Sequence, residues 1–168
     1  MKKVFTNSAI LSAFLGQGQG YGRTTNRSMY FEDETMYSYG RHYPLARLVG
    51  DRTLLIRNRD SSVTTNKHND SLHWAAKCEG FTVIRCDDVL AFTEDEHASN
   101  IANMRVRAHE ASEKAKRART SRNRDSHTSD EARELRYIEQ YSDVIARSMV
   151  ARGLKRAGRF VPSLAEVA

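Results

Sequence analysis

Cysteines, long apolar runs and metal-ligand spacings are what this chain has least of. Two cysteines in 168 residues, Cys78 and Cys86, cannot build a disulfide framework and point to a reducing compartment. No apolar run approaches the roughly 18 residues that cross a bilayer, so no membrane partner is expected. No Cys-x-x-Cys or His-x-x-x-His pair occurs, and His68 and His73, five apart, fall on different faces of a helix. No metal and no cofactor are therefore expected. The glycine-rich stretch GQGQGYG (16–22) has neither the spacing nor the Lys-Ser/Thr ending of a phosphate-binding loop. There is no internal repeat. Lys2 and Lys3 before SAILSAFL look like the start of a leader, but Thr6, Asn7 and Ser8 interrupt it and no small-x-small site follows. The stretch reads as a short helix capped by Asn7 or Ser8 and ended by Gly16.

What the chain does have is positive charge. Lys and Arg number 27 against 21 Asp and Glu, a net +6. That balance favours a polyanionic partner, either nucleic acid or an acidic protein surface. Hydrophobic residues are 39% and charged residues 29%, so the core is modest.

The two halves differ. Residues 1–91 hold seven of the nine glycines and most of the aromatics; residues 92–168 are rich in Ala, Arg and Glu. In the first half, 16–27 reads as a flexible polar loop. SMYFED and TMYSYG read as strands joined at Asp33-Glu34, and PLARLV and TLLIRN as a hairpin around GDR (50–52). The stretch 59–65 leads into a helix capped by Thr64 or Thr65, with Leu72, Ala75 and Ala76 as its apolar stripe, Trp74 beside them and Gly80 past its end. FTVIRC (81–86) is a last strand.

The second half opens on a capping box, Thr93 to Glu96, and a helix to about Arg119 with Ala98, Ile101, Ala108, Ala111, Ala115 and Ala118 near one face. TSRNRDSH (120–127) interrupts the pattern. A second capping box, Thr128 to Glu131, starts a helix carrying Leu135, Ile138, Tyr141, Ile145 and Met149. The end, 158–168, is a tail. The expected fold is α+β: a small antiparallel sheet with a helix at each end of the module, over 1–91, then a charged helical hairpin over 92–168.

The densest cationic stretch is 105–124. Arg105, Arg107, Lys114, Lys116, Arg117, Arg119, Arg122 and Arg124 stand against Glu110 and Glu113 alone, a surplus equal to the chain's whole net charge. Such a segment can contact phosphates with steep salt dependence. It holds no aromatic residue, which argues against base stacking there. A catalytic alternative places Ser62, Thr64 and His68 beside Asp70, Asp87 and Asp88 as a metal-dependent nuclease, with His42 as a second imidazole, but nothing in the sequence draws them into one pocket.

The stretch MYSYGRHYPLARLV (36–49) gathers Tyr37, Tyr39, His42 and Tyr43 around Gly40 and Pro44. Alternation places Tyr37 and Tyr39 on one strand face. Gly40 frees the backbone and Pro44 holds Tyr43 extended, so the stretch reads first as a structural corner and second as a recognition surface.

Ser38, Tyr39, Gly40, His42, Pro44 and Ala46, followed by Ser62, Thr64, Thr65 and His68, resemble the two motifs of a domain of unknown function widespread in tailed phages and plasmids. The resemblance spans roughly residues 5–85. It implies a small α+β module of viral or mobile-element origin, resident in the bacterial cytoplasm or the virion, and it implies no reaction. The expected function is therefore non-enzymatic binding of nucleic acid, or of a host nucleic-acid-processing complex, through the basic segment. An inhibitor of host defence, a virion structural protein and the nuclease are the alternatives. Oligomeric state is not legible.

Overall fold

In the computed structural model, residues 3–50, 52–58 and 62–151 are described. Expectations for Asp51 in the predicted turn, for residues 59–61, for the Met149 side chain and for the tail 158–168 lie outside the described residues. The chain divides into two compact units, Met1–Leu90 and Ala91–Ala168.

The first unit is a seven-stranded sheet whose strands lie in sequence order: β1 (Val4–Phe5), β2 (Tyr21–Thr24), β3 (Met29–Glu32), β4 (Thr35–Ser38), β5 (Pro44–Leu48), β6 (Thr53–Arg57) and β7 (Thr82–Cys86). Helix α1 (Asn7–Leu15) joins β1 to β2, and α2 (Val63–Cys78) joins β6 to β7. The sheet is therefore larger than the small antiparallel one expected, and it is mixed. The β1–β2 and β6–β7 pairs are parallel, and the meander between them is antiparallel. Each helix is a crossover between parallel strands rather than a terminal appendage.

Topology dictates where the helices go. Direction alternates from β2 to β6, so β2 and β6 run the same way, and both crossovers step in the same direction across the sheet. Right-handed crossovers then place both helices on one face. The core bears this out: Ile10, Leu11, Phe14 and Leu15 of α1 and Leu72 and Ala76 of α2 close over Met29, Phe31, Met36, Ala46, Leu48, Leu54, Ile56 and Val83. Helix α1 is capped by Thr6 rather than by Asn7 or Ser8, and ends at Gly16. Helix α2 is capped by Ser62, whose hydroxyl accepts from the Thr65 N–H at 3.3 Å, so the cap is neither Thr64 nor Thr65. Gly80 follows it with φ +78, the left-handed backbone expected there. Trp74 faces away from the core, 71% exposed.

The glycine-rich stretch is not only a loop. Tyr21–Thr24 forms β2, and Gly22 pairs across to Phe31. A Cβ at Gly22 would come within 2.5 Å of the Phe31 ring and 2.9 Å of the Phe5 ring, so this glycine makes room for two core aromatics. At the other side of the meander, Met36 pairs with Ala46 and Tyr37 with Pro44, leaving Leu45 as an extra residue. This bulge lets both Leu45 and Ala46 bury completely. Pro44 stands first in its strand, where its missing N–H costs least.

The second unit pairs α3 (Glu94–Arg117) with α4 (Ser121–Ala151). Contacts from His97 to Tyr141 and from Arg107 to Glu134 show that the helices run antiparallel. The Thr93–Glu96 capping box forms with both reciprocal bonds. The second predicted box does not form. Helix α4 begins seven residues earlier than Thr128, with the Thr120 hydroxyl accepting from the Asn123 N–H, and Thr128 lies inside it donating to the Arg124 carbonyl. TSRNRDSH is thus mostly helix, and the true break is Ala118–Thr120. Of the expected stripe, Tyr141 and Ile145 are buried, joined by Glu134, Tyr137 and Val144, whereas Leu135 is 53% exposed. On α3, Ile101, Ala108, Ala111 and Ala115 are buried as expected, joined by Met104, while Ala98 is exposed.

A polar knot sits in this hairpin. The Asn100 side-chain amide donates to the Tyr141 hydroxyl at 2.7 Å, and that hydroxyl lies 2.8 Å from His97 Nδ1; all three residues are buried. Tyr141→Phe removes one oxygen that serves two partners. The expected cost is about 1–3 kcal/mol, read as a lower urea midpoint at unchanged slope.

Candidate nucleic-acid interface

The basic segment is sorted by its neighbours. Arg107 Nε donates to Glu134 at 3.0 Å, and Glu134 is buried, so Arg107 clasps the two helices together. Lys116 and Arg117 both reach Glu113, at 2.8 and 3.3 Å, and Lys114 lies 3.7 Å from Glu110. Glu113 is held below the usual carboxylate range chiefly by its bond from Lys116. Arg105, half-buried in α3, is not one of the exposed cations. The remaining three, Arg119, Arg122 and Arg124, bracket the elbow between the helices. Arg124 reaches the Ala118 carbonyl at 3.5 Å, and Arg119 and Arg122 carry no ion pair among the described residues. No acid occupies the first turn of α4, where backbone N–H groups and the helix dipole already present positive potential.

The module motif resolves into a corner and a buried latch. Ser38 ends β4 on the core face, and its hydroxyl lies 2.9 Å from His68 Nδ1 on α2. A neutral imidazole accepting at Nδ1 satisfies that contact. Burial lowers the His68 pKa below its ordinary value, which also favours the neutral form. Tyr39 adopts φ +61, so the expected alternation stops there. Tyr37 stays on the outer face, while the Tyr39 ring turns to within 5.6 Å of the His68 ring. The corner is closed by Tyr39 N–H to Ser28, Tyr43 N–H to Gly40 and Ser38 N–H to Tyr43. His42 is exposed and lies over Gly40, where a Cβ would fall 2.7 Å from its ring nitrogen. Thr65 is buried behind the Ser62 cap. Thr64, exposed, shares a cleft of about 420 Å³ with Asn7, Ser8, Leu11, Lys67, His68 and Ser71. Of the motif, then, Thr64 and His68 meet in one cleft and His42 stands apart. Among the described residues no carboxylate lines that cleft, and no three His, Cys, Asp or Glu side chains gather in a way that could hold a metal.

The sequence reading offered Tyr37 and Tyr39 as a second-choice recognition surface but did not join β2 and β3 to it. Register brings Tyr21 opposite Glu32, Arg23 opposite Tyr30, and Tyr30 opposite Tyr37. The Tyr30 and Tyr37 rings stack at 4.9 Å and 12°. Arg41 donates to both Glu32 oxygens at 2.9 Å. Tyr21, Arg23, Arg27, Tyr30, Glu32, Tyr39 and Arg41 surround a recess of about 430 Å³. The Tyr30 phenol is raised above its ordinary pKa, first by burial and then by the Glu32 charge. The signal was present in the alternation of YGRT and MYFE, but it could be used only once 21–24 was known to be a strand.

No family model, curated protein or solved structure matches the chain.

The His68 latch carries a pH signature. The unfolded imidazole, with a pKa of about 6.5, takes its proton before the folded one does. Its contribution is complete above that pH and is lost as pH falls toward the lower folded value. The melting temperature should therefore drop on acidification below about pH 6.5. His68→Gln should remove that part of the slope, as read by circular-dichroism melts at matched ionic strength.

Proposed function

We propose that this protein is a non-enzymatic nucleic-acid-binding protein of a phage or mobile element, working in the host cytoplasm and gripping the phosphate backbone at the α3–α4 elbow. The observation that carries the reading is the triad Arg119, Arg122 and Arg124. These exposed guanidiniums are gathered by a three-residue break, with Lys114, Lys116 and Arg117 in the turn before it and no acid in the turn after it. Guanidiniums in this setting suit phosphate oxygens, which they can bind in bidentate fashion. The mobile-element origin rests on the paired motifs around Ser38–His42 and Ser62–His68. The non-enzymatic reading rests on the same resemblance, which implies no reaction.

The test is a salt titration of duplex DNA and RNA binding by fluorescence anisotropy. Each phosphate contact contributes about 0.9 to the slope of log K against log salt on B-DNA. Replacing Arg119, Arg122 and Arg124 with Ala should lower that slope by up to about three. Lys114→Ala and Lys116→Ala should change it less, since Glu110 and Glu113 already neutralise those cations. No detectable binding at low salt overturns the reading.

A further inference from the structure

The outer face of β2–β4 has no part in that grip, yet its chemistry is specific. Both crossover helices lie on the opposite face, so nothing in the topology of this unit covers it. Three tyrosines border the recess, and two of them, Tyr21 and Tyr39, are 39% and 56% exposed. The third, Tyr30, is backed by Tyr37 in parallel contact, which fixes its orientation on the sheet. Tyrosine rings on a rigid sheet are ordered before any ligand arrives, so little rotamer entropy is lost on stacking. Three arginines stand around the rings, and Glu32, the one carboxylate in the lining among the described residues, is engaged by Arg41. The recess therefore combines flat π-faces with net positive charge.

We propose that this face is a base-stacking platform for single-stranded nucleic acid, taking about one base on each of Tyr21 and Tyr30, with Tyr39 only bordering the recess, while Arg23 and Arg27 hold the connecting phosphates. The proposal deepens the nucleic-acid reading by naming the strand form recognised. A duplex hides the faces of its bases and cannot stack on the sheet. A single strand exposes them. An acidic peptide would satisfy the arginines but would leave the tyrosine faces unused.

The experiment compares anisotropy titrations of ten-nucleotide oligo-dT and oligo-U, a duplex of the same length, and poly-glutamate. They are run on the full chain, on Tyr21→Ala, on Tyr30→Leu and Tyr30→Phe, and on the elbow triple variant. Tyr21→Ala and Tyr30→Leu should each weaken single-strand binding about five- to hundred-fold, the range set by loss of one stacked base, with the salt slope unchanged. Tyr30→Phe keeps the ring and should bind as wild type, and duplex binding should not change in any tyrosine variant. Tyr21 is the most exposed of the ring positions on the strands, so its variant keeps the test valid should Tyr30→Leu fail to fold. Single-strand binding untouched by either tyrosine variant overturns the platform, and so does equal binding of poly-glutamate. Loss of duplex binding in the elbow variant alone, with intact tyrosine variants, leaves the phosphate grip standing without the platform. Loss of single-strand binding in the tyrosine variants with an inert elbow does the reverse. A preference for oligo-U or oligo-dT distinguishes RNA from DNA as the source of the strand.

Discussion

The handedness of two crossovers governs the first unit. Because β1–α1–β2 and β6–α2–β7 step in the same direction between parallel strands, both helices must lie on one side of the sheet. That side becomes the core. The other side of β2–β4 is left to be polar, aromatic and accessible, and its tyrosines and arginines follow from the period of two along each strand. The corner at Ser38–Tyr43 belongs to the same constraint. It must turn the chain while leaving Ser38 on the helix side to meet His68, and the left-handed backbone of Tyr39 accomplishes this.

Much of this arrangement is legible from sequence, and the parts that are not have definite causes. The central hairpins are readable because β3 and β4 alternate cleanly and β5 and β6 are short apolar runs, each pair joined by turn residues. The strand at Thr82–Cys86 is readable as well. The first two strands are hidden for different reasons. Val4–Phe5 is too short to show a period, and Tyr21–Thr24 carries the glycine that normally signals a loop. Here that glycine is demanded by the rings of Phe31 and Phe5, a tertiary requirement that no local pattern reveals. Parallel pairing is equally silent, since it depends on strands far apart in the chain.

The hairpin shows the opposite error. The capping signature at Thr93 works because its reciprocal bonds form locally. The same signature at Thr128 is overruled, because the helix has already begun at Ser121 and a threonine inside a helix can return its hydroxyl to the carbonyl four residues back. The seam was legible at Tyr141 and Ile145, but it also takes in Glu134 and Tyr137 and leaves Leu135 outside. Of the eight basic residues, the sequence could not separate the clasp, Arg107, from the exposed elbow. The distinction rests on a partner 27 residues away.

The order of the strands also has a consequence for how the unit assembles. The surface that bears the tyrosines is made by neighbours in sequence: β3 and β4 are joined by a two-residue turn, and β2 and β3 by four residues. The β6–β7 pair must wait for a helix of 16 residues to be threaded between its strands. Loop-closure entropy is small for the first set and larger for the second. Contact order therefore assigns the meander to the early stages of folding and the β7 edge to the late ones. The aromatic face would then be a product of the fastest-forming part of the chain, least exposed to errors in the slow parallel pairing.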